Sequence, residues 1–342
     1  MTEHPLVLGG WYGSPYSWKM RGVLRYRQIP FRWVVRDSKW DDLPEPPVRI
    51  VPVIVFPQPD GSYGEVMVDS SPQIMRLEAE FSGRSIVPTD PAVAFIDALI
   101  EDYADEWLTK AMYHYRWAND PDIQTAGRVL PAAGNRRLTS DQHEAAANMV
   151  IERQTGRRAL IGSTEETAPI IESSYKRVLD VFSELFSHQE FFLGDRPGRG
   201  DFGLYGQLTQ LVQRDPTPTA IAARRSPKVV SWIDDLDDLS WLPVDGDVGW
   251  SSLESLPNAT TQLLHEIGFT YAPFMVANAQ ALMSGADEVV CDVEGGTYRQ
   301  APFNYQGKCL QWLREGHAAL GDPDRARVDD LLAGTGCEVL FA

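Results

Sequence analysis

Cysteine is scarce in this sequence and is absent from the first 290 residues. The three cysteines, Cys291, Cys309 and Cys337, all lie in the last sixth of the chain. They are too few and too far apart for a disulfide framework, and their spacing fits no zinc site. The six histidines form no ligand cluster by spacing either, so the sequence predicts no metal. The low cysteine count favours a reducing, cytoplasmic location.

An excess of positive charge and long apolar runs are missing as well. The formal net charge is −17, which argues against nucleic acid and anionic membranes as partners, because both bind basic surfaces. No apolar stretch is long enough to cross a bilayer, and the first residues show no basic patch followed by an apolar segment. We therefore expect neither a membrane span nor a secretion signal. A P-loop, a Gly-x-Ser-x-Gly motif and a dinucleotide fingerprint are also absent.

One stretch, residues 9–21 (Gly-Gly-Trp-Tyr-Gly-Ser-Pro-Tyr-Ser-Trp-Lys-Met-Arg), predicts a strand end, a tight turn and a helix start. Ser14 or Ser17 can serve as the helix N-cap, and Pro15 suits the first helical position. The N–H groups at such a helix start favour a bound thiolate or carboxylate. Some redox proteins place a Cys-x-x-Cys motif here, whereas this chain has serine at both ends of that spacing. It cannot cycle a disulfide at this turn, but it can hold the thiol of another molecule.

The pattern of apolar residues divides the chain into three parts. The first part reads β-α-β, a loop rich in acid and proline, then β-β-α, with strands at 5–8, 31–35, 50–56 and 65–68 and helices at 17–27 and from 69–72 to about 81. The second part is helical, with segments at 92–117, 140–160, 166–187, 201–213 and 226–236. After residue 245 we predict a helix over 260–284, a hairpin over 288–300, and helices over 307–320 and 323–334.

Four carboxylates stand close together in the first long helix, in residues 101–106 (Glu-Asp-Tyr-Ala-Asp-Glu). Such a run invites a metal or an acid–base interpretation, but no histidine stands at helical spacing from it. We therefore predict that these carboxylates form a solvated face of the helix.

Three motifs resemble the glutathione transferase superfamily. Residues 14–21 are similar to the active-site turn of its zeta- and omega-like classes, and residues 50–53 (Ile-Val-Pro-Val) to its Val-Pro motif, in which the proline is cis. Residues 69–74 (Asp-Ser-Ser-Pro-Gln-Ile) resemble the acid-Ser motif that binds the γ-glutamyl end of glutathione. A weaker match, residues 192–202, resembles the capping-box segment of a core helix, with Gly198 in place of the usual Ser or Thr. The resemblance covers roughly residues 5–240.

The resemblance implies an α/β plus all-α architecture. A thioredoxin-like domain would cover residues 1–84, a helical domain residues 90–245, and a C-terminal extension residues 246–342, to which the family outline assigns no role. It also implies a cytoplasmic, homodimeric glutathione transferase, with glutathione as co-substrate and a small hydrophobic electrophile as the second substrate. The reaction would be addition or substitution by the glutathione thiolate.

The resemblance also implies roles for individual residues. Ser14 would donate a hydrogen bond to the glutathione thiolate, and a donor to the ionised form lowers the thiol pKa. Val51, which precedes Pro52, would pair through its backbone with the cysteinyl unit. Asp69 would meet the ammonium group, and Ser70 the γ-glutamyl carboxylate. Further contacts with glutathione are expected from Tyr16, Ser17, Ser71 and Pro52, and from Arg49 as a partner for the glycyl carboxylate.

A second pocket, for the electrophile, would lie between the first domain and the helix at 92–117. Aromatic residues are the candidates to line it, although aromatic residues also fill cores. These candidates are Trp11, Tyr12, Tyr103, Trp107, Tyr113, His114 and Trp117.

Two alternatives stay open. The chain can be a non-catalytic binding or scaffold protein whose extension covers the second pocket. An extension packed beside Ser14 would favour this alternative, and an open cleft would favour the enzyme. Glutathione-dependent thiol reduction is disfavoured, because positions 14 and 17 hold no cysteine and Cys291, Cys309 or Cys337 would have to reach the site.

Overall fold

The computed structural model describes residues 4–342. The chain begins with a four-stranded mixed sheet in the order β2-β1-β3-β4. β1 pairs parallel with β2 and antiparallel with β3, which pairs antiparallel with β4. Helices α1 and α2 complete a thioredoxin-like unit, as the sequence predicts. The bounds are β1 Leu6–Gly10, α1 Pro15–Tyr26, β2 Phe31–Val35, β3 Val53–Pro57, β4 Tyr63–Val68 and α2 Ser70–Glu80.

Both faces of this sheet are covered by apolar side chains. Leu6 and Leu8 of β1 belong to the large core that α1 also enters. Val7 points to the opposite face, where it packs with Val53 and Val55 of β3 in a smaller cluster. Because successive side chains of a strand alternate between faces, a fully apolar β1 is what a strand buried on both sides requires.

Two element boundaries differ from the sequence prediction for local reasons. β3 begins at Val53 rather than at residue 50, because Pro52 has no N–H for the ladder; the Val51–Pro52 peptide bond is cis. α1 begins at Pro15 rather than at residue 17, because Ser14 is its N-cap and accepts a hydrogen bond from the Ser17 N–H.

A helical layer follows the sheet. α3 and α4 form one long helix, interrupted by a π-helical turn over Ala104–Leu108, in agreement with the prediction for 92–117. The sequence prediction lacks α5 and α9; Pro131 lies inside α5, whereas Pro216 and Pro218 lie in the first turn of α9. The bounds are α3 Pro91–Tyr103, α4 Thr109–Ala118, α5 Asp120–Gly134, α6 Ser140–Thr155, α7 Ala168–Leu185, α8 Arg199–Gln213, α9 Pro216–Arg225 and α10 Pro227–Asp237.

α8 runs through the centre of this layer and packs on α1 and α3. Its N-terminus has no Ser or Thr cap, as the sequence indicates. Half of a capping box remains, because the carboxylate of Asp201 accepts from the Gly198 N–H at 3.0 Å. Asp97 of α3 replaces the missing cap by accepting from the N–H groups of Arg199 (3.0 Å) and Gly200 (2.8 Å).

The C-terminal extension contains every element that the sequence predicts there. Helices α11 and α12 are joined by a π-helical turn over Ile267–Tyr271, and β5 and β6 form an antiparallel hairpin. Apolar residues of the extension lie in the same core as those of α3 and α7, so the extension is packed into the protein. The bounds are α11 Asn258–Glu266, α12 Ala272–Ser284, β5 Val289–Val293, β6 Gly296–Gln300, α13 Asn304–Ala319 and α14 Asp322–Leu332.

Candidate functional site

The turn between β1 and α1 presents Ser14 at the start of a helix. The Ser14 Oγ accepts from the Ser17 N–H at 3.3 Å, and no acceptor within residues 4–342 takes its hydroxyl proton. The side chain of Leu130 in α5 lies against the turn, because a Cβ on Gly13 would stand 2.2 Å from its Cδ2 atom. Ser14 is 8% exposed. The Ser14 hydroxyl is therefore a free hydrogen-bond donor in a buried position.

Ser17, the other serine of the turn, has a structural role. Ser17 is fully buried, and its Oγ accepts from the Trp11 N–H at 3.3 Å, so it fixes the shape of the turn. The phenol of Tyr16 donates to the main-chain carbonyl of Asp105 at 2.9 Å. Burial raises the pKa of Tyr16 well above its ordinary value, so this phenol stays a hydrogen-bond donor.

The second and third motifs are joined by one side chain. The amide of Gln73 in α2 donates to the main-chain carbonyls of Pro52 (3.1 Å) and Met67 (2.8 Å). It therefore ties the start of α2 to the residues that precede β3. Asp69, immediately before α2, has φ +77°, a conformation in which non-glycine residues are uncommon. Such backbone strain concentrates at functional sites.

The residues predicted for the γ-glutamyl end have partners in other elements. Lys19 of α1 donates to the Ser70 Oγ at 3.2 Å. The hydroxyl of Ser71 donates to the carboxylate of Glu101 at 2.9 Å. The phenol of Tyr305, from α13 in the extension, donates to the Asp69 Oδ2 at 2.6 Å. The extension thus reaches the predicted glutathione site at its Asp69 end.

The acidic run of residues 101–106 is buried, and the prediction of a solvated face was wrong. The Lys19 Nζ lies 2.6 Å from both the Glu101 Oε1 and the Asp105 Oδ2, and Lys19 has no solvent exposure. These ion pairs raise the pKa of Lys19 above its ordinary value against the effect of burial. The carboxylates face inward because α3 and the π-turn pack against α1. Helical spacing alone does not reveal a partner 82 residues away in sequence.

The acidic run contains two further carboxyls without a lysine partner, Asp102 in the last turn of α3 and Glu106 in the π-turn. Burial raises the pKa of Asp102 to about 7 and that of Glu106 to about 8, with neighbouring carboxylates adding to the shift. Tyr271 of the extension donates to the Asp102 Oδ1 at 2.5 Å. No group of three or more His, Cys, Asp or Glu side chains in residues 4–342 is arranged to hold a metal ion.

The remaining predicted site residues lie in several places. Arg49 is exposed and its guanidinium pairs with Asp37 at 2.9 Å. Trp11 is 40% exposed. The Tyr12 ring packs in a tilted arrangement against the rings of Trp18 and Trp33, with centroid distances of 6.1 and 5.8 Å.

The second-pocket candidates on the long helix pack within the helical layer. Tyr103, Trp107, His114 and Trp117 are buried, and the His114 Nδ1 lies 2.8 Å from the Ser163 Oγ. Burial lowers the pKa of His114. The Tyr113 phenol donates to the Gln154 carbonyl at 2.9 Å. The structure therefore does not bring these side chains together with Trp11 and Tyr12 in one cleft, and their role stays a prediction.

Two functional-site neighbours were missed from the sequence. Lys19 could have been found, because it stands four residues before Val23 and seven before Tyr26 on the buried side of α1, where an unpaired lysine would be costly. Tyr305 had no such signal. It contacts Asp69 across 236 residues of sequence, and only the packing of α13 creates that contact.

Comparisons with known proteins agree with this architecture. Residues 8–85 match the family model described as "Glutathione S-transferase, N-terminal domain". No curated protein matches the sequence. None of the helices in residues 4–342 is long and apolar enough to span a bilayer.

Three solved structures of other proteins are similar to part of this chain. The beta-etherase LigF from Sphingobium sp. strain SYK-6 is 19% identical, with 69% of this chain and 95% of that chain covered and a TM-score of 0.47. A glutathione S-transferase from Methylobacterium radiotolerans, in complex with glutathione sulfonate, is 19% identical over 68% and 90%, with a TM-score of 0.41. The Tau class glutathione S-transferase from mango, Mangifera indica, is 18% identical over 70% and 93%, with a TM-score of 0.41.

Proposed function

Because residues 8–85 form an N-terminal domain of the glutathione transferase superfamily, we propose that this chain is a glutathione-dependent transferase. It uses the glutathione thiolate on a small electrophile. Ser14 stabilises the thiolate, the backbone of Val51 holds the cysteinyl unit, and Asp69 and Ser70 bind the γ-glutamyl end. The chain acts as a homodimer in the cytoplasm.

The observation that carries this proposal is the state of Ser14. The Ser14 Oγ accepts the capping hydrogen bond of α1, and no acceptor among residues 4–342 receives its hydroxyl proton. The side chain is 8% exposed. A hydroxyl in this position can donate to a thiolate at the positive end of α1, and both interactions favour the ionised thiol. A charged hydrogen bond of this kind contributes about 1.5–3 kcal/mol.

Replacing the Ser14 hydroxyl tests the proposal directly. We expect Ser14→Ala to raise the pKa of bound glutathione, followed through the ultraviolet absorbance of the thiolate, by about 1–2 units, since one unit corresponds to ~1.4 kcal/mol. The value of kcat/KM with an activated aryl chloride should fall by about 10- to 100-fold, as loss of that hydrogen bond predicts. Ser14→Thr keeps the hydroxyl and should restore most of the activity.

A cap variant of another helix controls for stability. Thr139→Ala removes the N-cap of α6, where Thr139 and Gln142 form a capping box, and should leave the thiol pKa unchanged. Calorimetry with millimolar glutathione completes the test. Absence of binding heat in the wild type, or an unchanged thiol pKa in Ser14→Ala, would contradict the enzyme proposal.

A non-catalytic scaffold is the second candidate, and the partners at the Asp69 end favour it. Asp69, Ser70 and Ser71 already bond to Tyr305, Lys19 and Glu101, so side chains of the protein itself occupy groups that glutathione would use. A scaffold would bind no glutathione in the calorimetric experiment while keeping its fold.

The Tyr305 phenol provides a test that separates the two candidates. If Asp69 binds the glutathione ammonium, Tyr305→Phe should tighten glutathione binding several-fold, because a competing donor is removed from the Asp69 carboxylate. Tyr63→Phe is the matched control, since Tyr63 donates in the same way to Asp42 at 2.9 Å on an exposed surface. Equal affinity of wild type and Tyr305→Phe would show that Asp69 does not contact the ammonium.

A further inference from the structure

A cavity of about 530 Å³ lies between α2, α3 and α13. It is built jointly by the long helix and by the C-terminal extension, and it does not include Ser14. Its volume falls in the range of sites for small organic molecules. One end of the cavity is acidic and the other is apolar.

The acidic end has more carboxyl groups than cations. Glu101, Asp102, Asp105 and Glu106 all line the cavity. Lys19 pairs with Glu101 and Asp105, and Arg199 pairs with Glu101 at 3.3 Å. Two cations thus face four carboxyls. Asp102 and Glu106 keep no cationic partner within the described part of the chain.

Glu106 is the side chain that points to a ligand. It is 7% exposed, and within residues 4–342 its carboxylate forms no ion pair. The amide of Gln306 lies beside it but donates to the Glu106 main-chain carbonyl at 3.3 Å. Lys110, one turn further along the helix, bonds to the Gln300 Oε1 at 2.6 Å. Burial of a carboxyl without a cationic partner is costly. Burial raises the pKa of Glu106 to about 8, and a hydrogen bond from the Gln306 side chain acts in the opposite direction.

The apolar end offers flat and flexible surfaces. Phe95 of α3 and Leu313 of α13 are buried walls, and Trp312 and Met75 are partly exposed at the opening. The Tyr305 ring stands close to Trp312, with centroids 6.4 Å apart at 90°. Aromatic faces of this kind attract organic cations in addition to apolar groups.

We propose that this cavity binds an organic cation, an ammonium or guanidinium group on an apolar body, with the cation at Glu106 and Asp102. The apolar body lies along Phe95, Leu313 and Trp312. A metal ion fits less well, because no metal-ligand group of three is present among the described residues and Lys19 already occupies the centre of the acidic end. The bound cation favours the ionised form of these two carboxyls, which release their protons to solvent on binding, and its apolar body covers apolar surface.

Three compounds with one apolar body and three charges test the proposal on the full chain. Phenylbutylammonium should bind at least tenfold more tightly than phenylbutanol in calorimetry, and phenylbutyrate should not bind. In Glu106→Gln the preference for the cation should fall by about tenfold, while phenylbutanol binds as before. Glu315→Gln, an exposed acid on another face of α13, should behave as wild type.

A second variant keeps the test decisive if Glu106→Gln folds poorly. Trp312→Ala, at a partly exposed position, should weaken the cation and the alcohol by similar factors and leave the preference for the cation intact. Equal binding of all three compounds, an unchanged preference in Glu106→Gln, or indifference of every compound to Trp312→Ala would each overturn the proposal. The Ser14→Ala test of the thiol pKa uses a residue outside this cavity, so a failure here is distinguishable from a failure of the transferase proposal.

Discussion

Replacing Lys19 by methionine should lower the free energy of unfolding by about 3–5 kcal/mol, the usual cost of breaking a buried ion pair by removing one partner. The Lys19 ammonium has no solvent exposure and lies 2.6 Å from two carboxylates of the long helix. Methionine fills a similar volume but leaves Glu101 and Asp105 as buried acids without that cation. Since these ion pairs join α1 to α3 and the π-turn, the loss weakens the contact between the sheet unit and the helical layer.

A second buried lysine supplies the matched control for this measurement. Lys110 is also buried, but burial lowers its pKa to about 7 and its main partner is the neutral Gln300. Lys110→Met therefore removes much less ionic stabilisation and should cost clearly less in urea unfolding. The triple variant Lys19→Met/Glu101→Gln/Asp105→Asn should recover part of the loss. Equal destabilisation by the two lysine variants would contradict the role assigned to the ion pairs.

The second large effect is a loss of stability as the pH rises from about 5 to 8. Burial, then Asp102 and Asp105, raise the pKa of Glu106 from 4.5 to about 8, against the hydrogen bond from Gln306 and the charge of Lys110. The folded protein therefore binds a proton that the unfolded chain has already released, which favours folding at low pH. This contribution disappears as the pH climbs towards the folded-state pKa, at up to about 1.4 kcal/mol per pH unit.

Urea unfolding of wild type and Glu106→Gln across this pH range measures the effect. The two proteins should be similarly stable near pH 5, where Glu106 is protonated, and the variant should become the more stable one towards pH 8. Glu144→Gln, which alters an exposed acid on α6, should follow the wild-type curve. Parallel curves for wild type and Glu106→Gln would mean that Glu106 does not titrate in this window.

The sheet unit and the turn at Ser14 could be predicted from the sequence because their signals are local. Continuous apolar runs mark β1 and β3, and the Ser14-Pro15 pair marks the start of α1, whose N-cap forms within three residues of sequence. The same holds for the β5–β6 hairpin, because Gly295 lies in the turn between the two strands and Gly296 begins β6. Pro131 inside α5 hid that helix, because proline strongly disfavours a helix interior. The prolines of α9 lie in its first turn, where proline is tolerated.

The electrostatics of the site depend on contacts between distant parts of the chain. Whether the acids at 101–106 face water or the core depends on where α1 lies, and Lys19 meets Asp105 across 86 residues. The tie from Tyr305 to Asp69 and the cavity beside it exist only after α13 has packed on α3. A sequence specifies caps, turns and periodicity through interactions between near neighbours. The partner of a buried charge, and thus its protonation and its chemistry, is decided by which surfaces the folded chain brings together.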